Sequence, residues 1–324
     1  MDFSLTDDQQ LLKDTARTLL TKECPTSLVR AHMDDPSVAD TLWGELAGWT
    51  ELGDGPLVDL CLFLEEAGAV LLPGPFFATA ALYRPLLAAA GVDPGDGPGT
   101  VALAGASGEW EVSDDPVRTF VLDADRVEKV AVVLPGPRVV VTDPAAVRPI
   151  ELIDSTRRVF EIDVPADTSG AVDVAPDALA GVLERATVAM AADMVGTARR
   201  LLELSVEYAK ERVQFDVPIG SFQAVQHKLA DMALDVERAT AAVYYAAMTI
   251  DADDPDRHRA AHAAKAAAGD AARRAAKDGV QTHGGIGYTW EHDLHLFIRR
   301  AYASEHLLGT TDWHRDRLAD LLFD

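Results

Sequence analysis

A polar segment in the last third of the sequence, residues 211–232, contains the first residues whose types could do chemistry. Arg212, Gln214 and Phe215 stand where a long predicted helix ends, and Pro218 and Gly220 follow them before the next helix. An arginine can pair with a diphosphate. At a helix end it can equally satisfy terminal carbonyls and the helix dipole. Taken alone, this segment is therefore interpreted as an ordinary turn.

A second segment, residues 281–295, is rich in glycine and histidine. Gln281 precedes Gly284 and Gly285, and closely spaced glycines let a phosphate approach backbone N–H groups. Three histidines of the segment could suggest a metal, but no carboxylate-histidine signature surrounds them, so no metal is predicted. Two histidines four residues apart on a helix outside the segment are predicted to be solvated. The three histidines of the segment are His283, His292 and His295. The two on the helix outside it are His258 and His262.

The composition excludes several classes of protein. The 324 residues carry 29 Lys and Arg against 53 Asp and Glu, a net charge of −24, which repels nucleic acid and anionic lipid. No apolar run approaches the roughly 20 residues that span a bilayer, and the N-terminus lacks a basic signal region. P-loop, dinucleotide-binding, zincin and nucleophile-elbow motifs are missing. We therefore predict a cytoplasmic protein, with Cys24 and Cys61 as buried thiols.

The elements that must position these segments are mostly helical. Thr6 and Gln9 form a capping box, a second apolar helix begins after Pro56, and the clearest linker runs over residues 94–99. Short valine-rich runs at 119–122, 130–134 and 138–142 predict strands. Helical periodicity returns at Pro176 and should extend to about Arg212, with further helices at 222–250, 255–280 and from about 291.

This pattern predicts an α+β, mainly α fold. We place an N-terminal helical domain at residues 1–95, a small middle β domain at 100–172 and a C-terminal helical bundle at 176–324.

In combination, the order and spacing of the motifs resemble the acyl-CoA dehydrogenase family. The opening Asp2-Phe-Ser-Leu-Thr-Asp-Asp-Gln resembles that family's first helix, and the main match covers residues 176–324. It consists of Arg212-x-Gln-Phe-x-x-Pro-Ile-x-x-Phe-Gln, Leu229-Ala-Asp-Met, Gln281-x-His-Gly-Gly-Ile-Gly-Tyr, Arg299-Arg-Ala and Gly309-Thr310.

The resemblance implies three domains ending in a four-helix bundle, with FAD bound between subunits. The family's side chains that match Arg212, Gln214 and Phe215 contact the adenosine diphosphate part of the FAD in the neighbouring subunit's site. The loop matching Gln281, Gly284 and Gly285 does the same. Asp216 stands where the family usually has glycine, which puts the geometry of that turn in question.

The resemblance fails at the catalytic base. Family members remove the substrate's α proton with a carboxylate, either before the C-terminal Gly-Thr or on the first bundle helix. Those positions are Leu308 and Ala186 here, and the family's Thr-Glu-Pro-x-Ala-Gly-Ser-Asp segment beside the flavin ring has no counterpart. The chain thus resembles the β subunit of actinobacterial α2β2 enzymes that act on steroid side-chain CoA thioesters. A catalytic partner subunit would supply the base and most of the acyl-CoA pocket.

Three alternatives stay open at this point. Glu184, Asp193 or Glu305 could be a displaced base in a homomeric enzyme, although Glu184 lies about 200° around the helix from Ala186. The chain could instead run different flavin chemistry, or be a flavin-free structural subunit. Basic residues that could meet the phosphates of CoA are Arg199, Arg200, Arg299 and Arg300.

Overall fold

The structure, a computed structural model, describes residues 4–323, and its first helix begins where the sequence predicts. Helix α1 spans Asp7–Glu23. The Gln9 N–H donates to Thr6 Oγ1 and the Thr6 N–H donates to Gln9 Oε1, both at 3.2 Å, so the predicted capping box is present. Asp2 and Phe3 of the family-like opening lie outside the described residues.

Four more helices complete the N-terminal part: α2 (Thr26–Asp34), α3 (Asp40–Leu46), α4 (Leu57–Val70) and α5 (Arg84–Ala89). Two 3₁₀ segments flank α3, and a π-helical turn at Ala78–Tyr83 leads into α5. Helix α4 is the central one, because all its residues from Leu57 to Gly68 except Asp59 are buried and it packs on both α1 and the first bundle helix. Cys24 and Cys61 are buried free thiols, as predicted.

Seven short strands follow, in two small sheets. The first has the order β1 (Gly99–Ala102), β3 (Lys129–Leu134), β4 (Arg138–Thr142), β7 (Val172–Asp173), with β1 and β3 parallel. The second has the antiparallel order β2 (Val117–Leu122), β6 (Val159–Asp163), β5 (Arg148–Pro149). The valine-rich runs thus form β2, β3 and β4, whose alternate side chains fill a core between the sheets.

The C-terminal part is a four-helix bundle with an added helix. The bundle consists of α6 (Pro176–Glu211), α7 (Gln223–Asp251), α8 (Arg257–His283) and α9 (Leu294–His306), and α10 (Thr311–Phe323) packs on α8. One continuous apolar core joins the bundle to the N-terminal helices. The predicted α+β, mainly helical, fold class is confirmed, while the proposed domain limits remain a prediction.

Helices α4 and α6 cross closely enough that only glycine fits at the contact. A Cβ on Gly196 would stand 1.8 Å from the Glu65 carbonyl oxygen, and one on Gly68 would stand 2.0 Å from that of Asp193. Backbone cannot move aside as a flexible side chain can. The sequence therefore requires small residues at this crossing to hold the bundle against the N-terminal helices.

Replacing Gly196 with alanine should lower the free energy of unfolding by about 2–3 kcal/mol, because the added methyl forces α4 and α6 apart. Gly181, in the same helix, has nothing within 4 Å of its Cβ position. Gly181→Ala should raise the free energy of unfolding by about 0.5–1 kcal/mol through helix propensity. Urea denaturation of both variants tests this, and equal destabilisation by the two would contradict the close crossing.

Candidate functional site

The six residues predicted to contact a cofactor all lie at one end of the bundle. Helix α6 ends there, α7 begins there and α8 ends there, because successive antiparallel helices return to the same end. The Lys228 ammonium lies 3.0 Å from the Asp278 carboxylate and ties α7 to α8. The Tyr208 ring of α6 stacks on His283 of α8 at 4.4 Å. We call the exposed residues 212–222 and 281–290 the bundle-end surface.

A two-residue hairpin projects Phe215 from the bundle-end surface. Strands β8 (Val213–Gln214) and β9 (Val217–Pro218) pair around Phe215 and Asp216, whose φ angles are 54° and 64°. Two successive positive φ angles define a type I′ turn, and aspartate tolerates the left-handed conformation without the glycine usual in the family. Phe215 has no such tolerance and is 87% exposed, so its strained backbone displays an aromatic ring to solvent.

Arg212 precedes this hairpin and Gln214 lies in its first strand, and the side chains of both leave most of their polar groups free. The Arg212 backbone N–H donates to the Tyr208 carbonyl at 2.9 Å, and its own carbonyl accepts from the Ile219 N–H at 2.8 Å. Within residues 4–323 its guanidinium forms no ion pair. The Gln214 side chain only donates to the neighbouring Val213 carbonyl, at 2.8 Å. The Arg212 charge is thus available to a group outside this chain.

The glycine-rich loop lies beside the end of α6, held by the Tyr208–His283 stack. Gly284 takes a φ of 64°, and nothing in this chain lies within 4 Å of a Cβ on Gly284 or Gly285. Gly287 differs, because a Cβ there would stand 3.2 Å from Leu294 Cδ2. Packing within the chain therefore explains the glycine at 287 but not the one at 285. Gln281, one turn earlier, is exposed.

The histidines of this segment contact the backbone and aromatic rings of this chain. His283 Nδ1 donates to the Gly279 carbonyl, 2.8 Å away, and His292 Nδ1 accepts from the Leu294 N–H at 3.1 Å. His295 is buried against the Trp290 ring at 4.5 Å. In the part of the chain that the structure describes, no three His, Cys, Asp or Glu side chains are grouped to hold a metal ion. Burial lowers the pKa of His283 and of His295.

A cavity of about 580 Å³ lies between the strands and the bundle, at the opposite ends of α6 and α8 from the bundle-end surface. The loop between β1 and β2, α6, α8 and the α9–α10 turn surround it. Aromatic and aliphatic side chains form much of its wall, and the titratable groups among its lining are three carboxylates and four histidines. These groups are Glu109, Glu111, Glu184, His258, His262, His306 and His314.

The turn between α9 and α10 brings Leu308 into this cavity in a strained conformation. Leu308 has a φ of 58° and Gly309 one of 94°. Buried donors hold the turn: His314 Nε2 lies 2.8 Å from the Leu308 carbonyl, and Lys265 Nζ donates to the Gly309 carbonyl at 2.8 Å. Burial lowers the pKa of Lys265 to about 7. These two buried polar groups thus hold Leu308 in its left-handed conformation.

The cavity shows which of the residues considered for the catalytic base face open space. Leu308 lines it, but Ala186 is packed in the core and does not. Glu184, placed far from Ala186 around α6, faces the cavity together with Leu183 and Thr187. Its distance from Ala186 is therefore no argument against Glu184, because the cavity lies on the Glu184 face of the helix.

The other two candidate bases do not line the cavity. Asp193 is buried and lies 3.1 Å from the Arg157 guanidinium. Glu305 lies 3.8 Å from Arg273. Glu184 itself is engaged, because His258 Nδ1 lies 2.6 Å from its Oε1 and Arg257 Nε lies 3.6 Å from its Oε2.

All four arginines that could meet the phosphates of CoA have partners within this chain. Arg300 is 1% exposed and its Nε lies 2.8 Å from Asp154. Arg199 pairs with Glu65 and Glu66 at the α4–α6 contact. Arg200 lies 3.0 Å from Glu203, and the Arg299 guanidinium covers the Trp290 ring at 4.6 Å. Arg199 and Arg300 thus pair with carboxylates of this chain.

Sequence reasoning missed most of the cavity wall. His258 is exposed as predicted, but His262 is half-buried in the wall and bonded to His314, so the prediction of a solvated His262 is wrong. The four-residue spacing between His258 and His262 was the signal in the sequence that could have indicated a shared position on one helix face. Trp110 lies in a loop between strands, where no periodic pattern indicates which way a side chain faces.

The chain consists of a helical N-terminal part, two small sheets and a four-helix bundle, with a cavity at the Leu308 turn. Together these features define an acyl-CoA dehydrogenase-type flavoenzyme fold. The acyl-CoA dehydrogenase C-terminal domain matches residues 177–323. The acyl-CoA dehydrogenase IpdE2 of Mycobacterium tuberculosis is 34% identical over 93% of both chains. This chain belongs to the acyl-CoA dehydrogenase family, whose members are oxidoreductases that act on acyl-CoA and depend on FAD.

Two solved structures share the fold over almost the whole chain. The ChsE4-ChsE5 complex from Mycobacterium tuberculosis superposes with a TM-score of 0.85 at 23% identity, over 99% of both chains. The steroid acyl-CoA dehydrogenase Tcur3481-Tcur3483, a G363A variant, superposes with a TM-score of 0.83 at 25% identity, over 98% of both chains. No helix among residues 4–323 is long and apolar enough to cross a membrane.

Proposed function

We propose that this chain is the subunit of a heteromeric acyl-CoA dehydrogenase that lends FAD contacts and lacks the base. The observation that carries the proposal is an asymmetry between its two regions. At the bundle end it exposes a strained Phe215 and an unpaired Arg212, whereas the turn where the family's base is expected presents Leu308. A catalytic partner supplies the base, and two copies of each subunit form an α2β2 assembly in the cytoplasm.

The bundle-end surface fits the adenosine diphosphate part of FAD. Arg212 can pair with the diphosphate, and Gln214 and Gln281 offer further polar groups beside it. Gly285 lets the diphosphate approach the backbone closely. Packing within this chain does not require a glycine at that position. His283 Nε2 is buried with no hydrogen-bond partner among the described residues, and because Nδ1 carries the ring hydrogen, an incoming hydrogen-bond donor would satisfy it. When bound, FAD accepts the hydride from the acyl chain.

The relatives support a partner and a substrate class. One structural neighbour is a complex of two named subunits, and another is a two-part steroid acyl-CoA dehydrogenase. By this likeness we propose that the substrate is an acyl-CoA, with a steroid side-chain thioester as its acyl group. The partner provides most of the acyl pocket.

A second candidate is a homomeric flavoenzyme in which Glu184 is the base. Its place on the cavity wall beside Leu308 favours this candidate. The contacts with His258 and Arg257 oppose it, because a carboxylate already paired with two side chains must leave them to reach a substrate. Glu184→Gln separates the two candidates: dehydrogenation by the mixed complex persists if the partner supplies the base and stops if Glu184 does.

Phe215→Ala should weaken assembly with the partner at least tenfold, because an exposed aromatic ring at an interface centre contributes about 2 kcal/mol or more. Phe323, which is 88% exposed at the other extreme of the C-terminal region, is the matched control. Each variant is co-expressed with the partner subunit, and sedimentation of the complex gives the affinity of that variant for the partner. Equal loss in Phe215→Ala and Phe323→Ala, or loss in neither, would contradict a docking role for the hairpin.

A further inference from the structure

Two arginines and three aspartates meet in the interior where the strands, the bundle and the N-terminal helices join. Arg157 and Asp154 come from the segment between β5 and β6, and Asp123 follows the end of β2. Asp193 lies on α6 and Arg300 on α9. The Arg157 side chain is 7% exposed, and the other four residues are buried. We call these five side chains the junction cluster.

Both guanidiniums of the junction cluster have carboxylate partners, and neither partner is Asp123. Arg300 Nε lies 2.8 Å from Asp154 Oδ2, and Arg157 Nη2 lies 3.1 Å from Asp193 Oδ2. Arg300 Nη1 lies 3.9 Å from Asp193 as well. Within residues 4–323 the Asp123 carboxyl group forms no ion pair and no hydrogen bond. An ionised Asp123 would therefore add a third negative charge to two positive charges that are already paired.

The backbone holds Asp123 beside these ion pairs. Its N–H donates to the Arg158 carbonyl at 3.0 Å, and its own carbonyl accepts from the Arg126 N–H at 2.8 Å. The φ angle of Asp123 is 50°, a left-handed conformation that aspartate tolerates. The turn after β2 thus fixes the position of the residue from both sides.

Little water can reach the junction cluster. A cavity of about 20 Å³ lies there, with Asp123, Arg157, Asp193 and Arg300 in its lining. This volume holds about one water molecule, which is too little to solvate an unpaired carboxylate. The residues that close the cavity from α4 and the segment after it are uncharged: Leu64, Ala67, Leu72, Gly74, Phe76 and Phe77.

Burial outweighs the charges around Asp123. It is the largest effect on the carboxyl group and raises the pKa of Asp123 to about 7. Arg157 and Arg300 act in the other direction, but each is paired with another carboxylate. Arg158 also favours the ionised form, and Asp125, which lies 2.7 Å from Arg158, opposes it. The surroundings therefore favour a neutral Asp123.

We propose that the junction cluster is a proton-dependent contact, in which Asp123 is protonated while the strands are closed on the bundle and its ionisation loosens them. With Asp123 neutral, the cluster contains two positive and two negative charges. With Asp123 ionised, it contains an excess negative charge that the small cavity cannot solvate. This contact goes beyond the proposed subunit role, because it requires neither FAD nor a partner.

The direction of the pH dependence follows from the two states of Asp123. Aspartate in an unfolded chain ionises near pH 4, whereas the folded chain keeps the proton on Asp123 up to about pH 7. Its contribution to stability is therefore complete below about pH 4 and is lost as the pH rises through about 7, by up to tenfold in the folding equilibrium per pH unit. Burial lowers the pKa of His262 and of His314, so these residues act in the opposite direction.

A comparison of variants at equal pH isolates Asp123 from the other titrating groups. Asp123→Asn keeps the shape and the left-handed tolerance of the side chain but cannot ionise. Urea denaturation of the full chain at pH 5 and pH 8 gives the folding equilibrium constants. We expect the ratio of the Asp123→Asn constant to that of the parent to rise at least tenfold from pH 5 to pH 8.

The matched control is Asp143→Asn, which removes an 80% exposed carboxylate beside the end of β4. Its ratio to the parent should stay constant to within about twofold over the same pH range. A constant ratio for Asp123→Asn, or an equal rise for Asp143→Asn, would overturn the proposal.

Hydrogen exchange tests whether the strands are the part that loosens. At pH 8, amides of β2 and β6 should exchange at least about fivefold faster in the parent than in Asp123→Asn, whereas at pH 5 the two proteins should exchange alike. Amides of α7 should exchange alike at both pH values. Equal exchange of the strands at pH 8 would show that ionisation of Asp123 does not loosen them.

One measurement on the parent needs no variant. The infrared band of a protonated carboxyl group should be present in the folded chain at pH 6 and lost by pH 8. Its absence at pH 6 would overturn the proposal, because Asp123 would then be ionised within the closed junction cluster.

Discussion

Gly285→Ala is expected to reduce the affinity of the mixed complex for FAD by about 10- to 100-fold while leaving the fold of this chain unchanged. Nothing in the chain lies within 4 Å of the added Cβ, so the fold has room for it. A diphosphate that approaches the Gly285 backbone does not, and a forced methyl contact costs about 1–3 kcal/mol. The measurement is the ratio of flavin to protein absorbance after dialysis of the complex.

Gly287→Ala is the control for that experiment. A Cβ there would lie 3.2 Å from Leu294 Cδ2 and 3.3 Å from His283 Cβ, inside the chain's own packing. We expect this variant to lower thermal stability with less effect on flavin in the folded fraction. If Gly285→Ala retained flavin as the parent does, the bundle-end surface would not be the place where the diphosphate lies.

Asp154→Ala is expected to lower the free energy of unfolding by about 3–5 kcal/mol, because it removes the nearer and hydrogen-bonded carboxylate of buried Arg300 and leaves only Asp193, 3.9 Å away. Asp154 Oδ2 accepts from Arg300 Nε at 2.8 Å, and its Oδ1 accepts from the Thr156 N–H at 2.9 Å. Arg300 is 1% exposed and also donates to Thr156. This cluster fastens the segment between β5 and β6 to α9, so its loss should separate the strands from the bundle.

An exposed pair of the same chemistry provides the comparison. Arg158 lies 2.7 Å from Asp125, and both side chains are about a quarter exposed. Asp125→Ala should cost at most about 1 kcal/mol, since water screens the pair. Guanidinium denaturation of the two variants gives the difference. Similar losses in both would mean that the Asp154–Arg300 pair contributes no more than a surface contact.

The helices could be predicted closely because their limits are local. Pro176 suits the first turn of a helix, and the apolar face that follows continues to the polar segment at Arg212, so α6 was placed within one residue at each end. The valine-rich strands were equally visible, but the parallel pairing of β1 with β3 was not, since it depends on contacts distant in sequence.

The same distinction between local and distant contacts decides which parts of the candidate site could be predicted from the sequence. The bundle-end residues were found because family motifs and the helix order bring them together, although their role remains a proposal. The cavity was not found, because its wall combines a loop, two helices and a turn from separate parts of the chain. Helical periodicity gave the angle between Glu184 and Ala186, but only packing shows which of them faces the cavity. His262 was misjudged for the same reason, since His314 lies 52 residues away.

The most direct test of the central claim is the visible spectrum and mass of the chain purified alone and after co-expression with its catalytic partner. We predict no flavin absorbance in the chain alone, and one flavin per two chains in a mixed complex of two subunits of each kind. A yellow homomer whose absorbance bleaches on addition of an acyl-CoA would contradict the account and make Glu184 the first residue to replace.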